Sequence, residues 1–341
     1  MSIFHILFTA INAVVPVVLM ILLGYFLRRS GFLTKEFVKT GNKLVFKVCL
    51  PCMLLINVYD IESFSSINWP FVIFCVTMAV VTFVLGYAAA VLTTRVPERR
   101  GVIWQCSFRS NYAIIGLSLA AAVGGDQAVA VAAIISAFVV PLFNVMAVIA
   151  LTSFVGEGGS AKEKIKGILL NIVNNPIIIG VVLGLICMAI REIQKAVFGE
   201  VVFSMKVHTK FLYTTLNNLK TITSPLALLI LGGQFEFSAV KGLMKEIVTG
   251  TVFRIVVAPL LGIGGAIVLT CMGVLNCGIN EYPALIAMFG SPVAVTSAVM
   301  AGSMGNDEQL ATQLVVWTSL FSIFTIFAQV CILMAMGLLA A

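Results

Sequence analysis

Two short segments gather hydrogen-bond donors inside otherwise apolar surroundings. Residues 110–130 read SNYAIIGLSLAAAVGGDQAVA and residues 291–311 read SPVAVTSAVMAGSMGNDEQLA. They align without a gap, and six of the 21 positions are identical. Ser110, Asn111, Ser291, Thr296 and Ser297 supply hydroxyl and amide groups, and none of them is negative. Asn111 can bond its own backbone in place of a helix. Pro292 removes an N–H and clashes with the preceding turn. A helix broken at such a point has a new half-helix N-terminus, with unpaired N–H groups and a partial positive charge, which suits an anion. The chemistry open to these residues is reversible anion binding. The competing reading is a kink that only shapes packing. Arg109, beside the first break, and Arg254, in TVFRIVVAP, lie about two turns inside apolar stretches. Intramembrane charge is costly and usually functional, but both side chains could instead snorkel to an interface.

Other chemistries find no carrier. The two histidines, His5 and His208, are far apart, and no metal-ligand cluster or glycine-rich nucleotide loop is present. Cys49-Leu50-Pro51-Cys52 has redox spacing, but it lies in an apolar run that disfavours a thiolate, so packing is its expected role. No enzyme activity, cofactor, metal or nucleic-acid partner is expected. All 14 Asp and Glu residues fall at the ends of apolar runs or between them. Asp126 and Asp307 read as helix N-caps, with ion coordination as the alternative.

The elements that must position these groups are membrane spans. Apolar residues make up 60% of the 341 residues, charged residues only 10%, and mean hydropathy is +1.11. Soluble domains carry about 25% charged residues, so the lipid bilayer is the expected solvent. With roughly 20 apolar residues per span, ten candidates emerge, near 6–27, 41–58, 70–93, 102–123, 128–152, 168–190, 211–234, 247–271, 280–302 and 312–338. The first lacks a basic n-region and a small-residue cleavage site, and reads as a retained span. Residues 191–210 are too charged to span and suggest an amphipathic interface helix.

Basic residues concentrate after the odd-numbered spans: Arg28, Arg29, Lys35 and Lys39; Arg95, Arg99 and Arg100; Lys162, Lys164 and Lys166; Lys241 and Lys245. The positive-inside rule then places both termini on the non-cytoplasmic side of an inner or plasma membrane. The basic 191–220 connection and the acidic Asp307-Glu308 pair cut against that assignment.

Five spans separate the two matched segments, so the second copy runs opposite to the first. Pro16 and Gly24 match Pro176 and Gly184 at one offset, and Pro51 in VCLPCMLLIN matches Pro225 in ITSPLALLIL. The expected architecture is all-α: ten transmembrane helices as two inverted five-helix repeats, with broken helices 4 and 9 crossing. The repeats are 1–152 and 168–341, joined by a cytoplasmic connection at 153–167. Interrupted spans in corresponding positions of two halves are the sequence mark of a transporter site.

These motifs resemble the auxin efflux carrier family, including its bacterial organic-anion carriers. Asn111 and Gly116 are similar to the family's Asn-x-x-x-x-Gly crossover, VNNPIIIGVVLG at 173–184 to its Asn-Pro segment, and VCLPCMLL and SPLALLILGG to its proline-bearing second and seventh spans. Plant members have proline at the first crossover, where this chain has Ser110-Asn111. The resemblance implies spans 1, 2, 6 and 7 as a scaffold, suited to a homodimer, and the rest as a moving transport domain. It implies a substrate site at the crossover, here Arg109, Ser110, Asn111, Gly116, Ser291, Pro292, Thr296, Ser297 and Arg254. The expected function is secondary transport of a small organic anion such as a carboxylate. The alternatives are a sodium-coupled symporter of bile-acid-symporter-like architecture, or a membrane sensor, which a fused signalling domain would favour.

Overall fold

A computed structural model of the chain describes residues 15–16, 19–60, 68–155, 174–235 and 240–339. Among them the protein is all-helical, with no β-strand. Helix α1 occupies 19–29. Thr34 then accepts a hydrogen bond from the Phe37 N–H at 3.0 Å and caps α2 (Lys35–Tyr59). Asn68 likewise caps α3 (Trp69–Thr93). Helix α4 (Pro97–Phe108) is followed by a wide π-turn at Tyr112–Gly116 and then α5 (Leu117–Thr152). Gly125, at φ 68°, divides α5 into two helices. The second half holds α6 (Pro176–Phe198), α7 (Lys210–Gln234) and α8 (Val240–Cys271). It ends with α9 (Glu281–Leu285) and its wide turn Ile286–Gly290, α10 (Thr296–Ser303) and α11 (Glu308–Ala335).

Among the described residues, five stretches are long and apolar enough to cross a membrane: α2, α3, Gln127–Thr152 of α5, α8 and α11. The regions 97–123 and 281–303 are divided into shorter pieces by their breaks. The connection expected at 153–167 and the start of the sixth span at 168–173 lie largely outside the described residues.

Two boundaries differ from the sequence reading. The second span starts at Lys35 rather than near 41, because the Thr34 cap lets the helix begin in the polar region and adds Lys35 and Lys39 to the helix that already held Lys43 and Lys47. The 191–210 segment is not a separate interface helix. Helix α6 continues through Arg191, Glu192 and Lys195 to Phe198, and the chain then turns at Gly199 (φ 76°).

Several of the residues that disturb the orientation pattern are in charge pairs. Lys206 and Lys220 lie 3.1 and 3.2 Å from the Asp60 carboxylate, and Lys195 lies 2.9 Å from Glu192. Asp307 caps α11 by accepting from the Leu310 N–H at 2.9 Å and meets Arg99 at 3.1 Å. Arg99 also reaches Glu246 at 3.0 Å and so ties the starts of α4, α8 and α11 together. The geometry of Asp307 is that of a cap. The side chain of Asp126 lies outside the described residues.

The helices carrying the repeated glycines pack across the two halves. Gly24 of α1 lies on the backbone of Leu229, and Gly232 of α7 on that of Ile21. Gly180 and Gly184 of α6 pack on Pro51 and Val58 of α2. A Cβ at Gly232 would fall 1.9 Å from the Ile21 carbonyl oxygen, so alanine there requires the helices to part. Gly232→Ala is expected to cost about 1–3 kcal/mol. Gly242→Ala, which meets nothing within 4 Å in α8, should be neutral or mildly stabilising. Thermal melts of the purified variants in detergent check both; equal melting temperatures would contradict the close packing.

Candidate functional site

The two disturbed segments meet. Helix α4 stops at Phe108, and Arg109 leaves it with extended backbone (φ −82°, ψ 99°). In the second half the helix stops at Gly290, and Ser291 is extended (φ −63°, ψ 147°). The two extended stretches lie antiparallel at a Ser110–Val293 bridge. The Asn111 N–H donates to the Pro292 carbonyl at 2.8 Å, and the Ala294 N–H donates to the Arg109 carbonyl at 3.2 Å. The Val293 N–H is satisfied by the Thr318 hydroxyl of α11 at 3.1 Å. Non-helical backbone at membrane depth requires such partners. Gly116 fits the close approach of the two segments, since a Cβ there would lie 2.8 Å from the Ala287 carbonyl oxygen.

Arg254 holds the crossing from behind. A π-turn at Phe253–Val257 places it inward, and it is only 1% exposed. Its guanidinium donates to the carbonyls of Phe108 (3.1 Å), Met288 (3.0 Å), Phe289 (2.7 Å) and Ser291 (3.0 Å). These are the last carbonyls of the two half-helices that run into the crossing, where the helix dipoles are negative. Snorkelling is ruled out by its burial. Its donors are directed to the backbone, and it does not line the crossover cavity.

Arg109 faces the other way. It is 5% exposed, donates to Asn144 Oδ1 at 2.7 Å, and reaches Ser297 Oγ at 3.4 Å. No carboxylate pairs with it among the described side chains. Arg109, Ser110, Asn111, Asn144 and Thr296 line a cavity of about 40 Å³, closed on one side by Leu50, Met53 and Leu54 of α2. Ser110 Oγ and Asn111 Nδ2 are buried there with no protein partner. A buried polar atom without a partner costs roughly 1–3 kcal/mol, so both groups have hydrogen-bonding capacity left unused beside the cavity. Donors and an unpaired cation converge from the two half-helix starts, an arrangement that can bind an anion and offers no nucleophile or general base.

The sequence-selected residues therefore divide. Arg109, Ser110, Asn111 and Thr296 share the cavity, and Ser297 supports Arg109. Ser291 donates its hydroxyl to the Ala287 carbonyl at 2.6 Å, and Pro292 supplies a carbonyl to the crossing; both shape the backbone. Asn144 was missed by the sequence reading. Its signal is a lone amide in the apolar run VVPLFNVMAV, three residues after Pro141. Cys49 and Cys52 are unbridged and serve as packing groups.

A family model described as membrane transport protein matches residues 9–328. The chain belongs to that family, the auxin efflux carriers. As a carrier of this family it is a multi-pass membrane transporter and not an enzyme. It is 24% identical over 322 residues to an uncharacterized transporter of Methanocaldococcus jannaschii, covering 92% of this chain and 96% of that one.

Proposed function

We propose that this carrier is a secondary transporter of small organic anions such as carboxylates, with the crossover as its binding site. The observation that carries the reading is Arg109, buried and without a carboxylate partner among the described side chains, beside the orphaned donors of Ser110 and Asn111. A carboxylate bound there would accept from the guanidinium, the amide and the hydroxyl together.

The same reading takes the fold as ten spans in two inverted repeats, 1–152 and 168–341. The antiparallel crossing and the reciprocal packing of α1 on α7 and α6 on α2 support it. Alternating access would move the crossover past a scaffold formed by spans 1, 2, 6 and 7, as an elevator. The collapsed 40 Å³ cavity, walled by α2, then corresponds to a closed stage of that cycle. The membrane is the inner or plasma membrane, with both termini on its non-cytoplasmic side and a homodimer held through the scaffold.

Substitution at the site tests the reading. Asn111→Ala removes one donor from a dry site and is expected to weaken anion binding by about 1–3 kcal/mol, roughly five- to 150-fold. Titration of malate, malonate and citrate against purified wild-type and variant protein reads this directly. Wild-type affinity in a folded Asn111→Ala protein would remove Asn111 from the site.

A further inference from the structure

A wide cavity lies on the side of the basic connections. It measures about 610 Å³, and its wall includes Arg28 of α1 and Lys35, Lys39, Lys43 and Lys47 of α2. The lysines recur every four residues, so they form one stripe with about 6 Å of rise between neighbours. Glu308 of α11 is the single acidic residue on the wall among the described residues, which gives five positive charges against one negative there. Glu308 Oε1 accepts from Asn42 Nδ2 at 2.7 Å and Gln234 Nε2 at 2.6 Å, so neutral amides, not the lysines, engage it.

Two basic groups elsewhere among the described residues meet carboxylates. Arg99 meets Glu246 and Asp307, and Lys206 and Lys220 meet Asp60. The four lysines of α2 have no carboxylate within 4 Å among the described residues. Mutual repulsion along such a stripe destabilises the protein unless a counter-charge visits it. A topology signal would not require the four to share the wall of one cavity.

The position of this cavity gives it a use. Lys47 lies one turn before Leu50, and Leu50, Met53 and Leu54 of the same helix wall the crossover cavity. Helix α10 makes a second link, since Thr296 at its start lines the crossover and Gly302 and Ser303 at its end line the basic cavity. The two cavities are thus adjacent along two helices, one wide and charged, the other narrow and holding Arg109.

We propose that the lysine-lined cavity is an anion-capture site that loads the crossover from the basic side and makes the carrier prefer di- and tricarboxylates to monocarboxylates. The inference rests on the crossover being an anion site. Arg109 is one cation and takes one carboxylate. During capture a second carboxylate faces the lysines of the basic cavity, a gain that a monocarboxylate lacks. The stripe also concentrates polyvalent anions at the mouth, an effect that weakens as salt rises.

The test is flux of acetate, malate and citrate through protein reconstituted in liposomes of neutral lipid, with wild type, Lys39→Gln/Lys43→Gln and Lys39→Arg/Lys43→Arg compared. In the glutamine variant KM for citrate is expected to rise about tenfold with kcat unchanged, with a smaller rise for malate and none for acetate. The dependence of citrate KM on ionic strength should flatten, and the arginine variant should behave as wild type. Unchanged citrate KM and salt dependence in a glutamine variant that still carries malate would overturn the capture site while leaving the carrier reading intact. A lysine effect that appears only after anionic lipid is added would assign the stripe to lipid headgroups and overturn it equally. No carboxylate flux in wild-type protein would overturn the carrier reading, and this inference with it.

Discussion

Arg254→Leu is expected to unfold the crossover. The substitution leaves four carbonyl oxygens without their donor in a site that water does not reach. At about 1 kcal/mol each, the low end for a stranded buried acceptor, the loss is ~4 kcal/mol. Relief from burying a guanidinium offsets part of this. The remainder is still large against the 5–15 kcal/mol that typically separates folded from unfolded protein. Arg254→Lys keeps the charge but offers three donors from one point instead of five in a fork, so it should fall between leucine and wild type. Detergent melts of the purified proteins should give the order wild type, lysine, leucine, with the leucine protein accumulating poorly or melting up to about 5 °C lower. Identical melts would mean that the carbonyls are satisfied without Arg254 and that its placement behind the breaks has no structural role.

Arg109→Gln should give the opposite profile. Arg109 lines the cavity and, among the described residues, its guanidinium hydrogen-bonds Asn144 and Ser297, so its charge has no protein counter-ion among the described side chains. Removing it takes an unpaired charge out of a buried site, which is neutral or stabilising. Glutamine retains an amide donor for Asn144. Transport should nevertheless fall by about 10²-fold or more, because a bound carboxylate would be left without its cation in a dry pocket, a loss of roughly 3–5 kcal/mol. A melting temperature at or above wild type together with abolished uptake is the expected result. Normal uptake by the variant would place the anion elsewhere. The two arginines have the same residue type and similar burial, so contrasting profiles would reflect their opposite aims.

This contrast also marks what the sequence could reveal. Ser110-Asn111 and Ser291-Pro292 each break a helix through local chemistry, a competing side-chain bond in one and a missing N–H in the other, and local chemistry is readable from local sequence. The duplication of the break pointed to a crossing. The aim of Arg254 was not readable, because four carbonyls from two distant segments converge on it only after the crossing has formed. Depth along an apolar run is compatible with both snorkelling and burial. Asn144 was missed for a related reason: a single amide in an apolar span becomes meaningful only when Arg109 is 2.7 Å away. Lys35 and Lys39 were read as residues of a connection because the span was started near residue 41. The Thr34 cap, one residue before Lys35, was the available signal that the helix begins earlier and that the lysines share one face.

An expectation for coupling follows from the proposed carrier function. With an anion as substrate and no carboxylate among the described side chains around the crossover, the charge of the substrate would link transport to the membrane potential, at about 2.3 kcal/mol per charge per 100 mV. An anion in a compartment that is negative inside is driven outward, which makes export or exchange the natural direction. The measurement that tests this most directly is flux of radiolabelled malate through reconstituted protein, with the potential imposed by a potassium gradient and valinomycin and with sodium present or absent. The account predicts flux that reverses when the potential is reversed, is unchanged by sodium removal, and is lost in Arg109→Gln. Uptake that ignores the potential, requires sodium, and survives Arg109→Gln would contradict it.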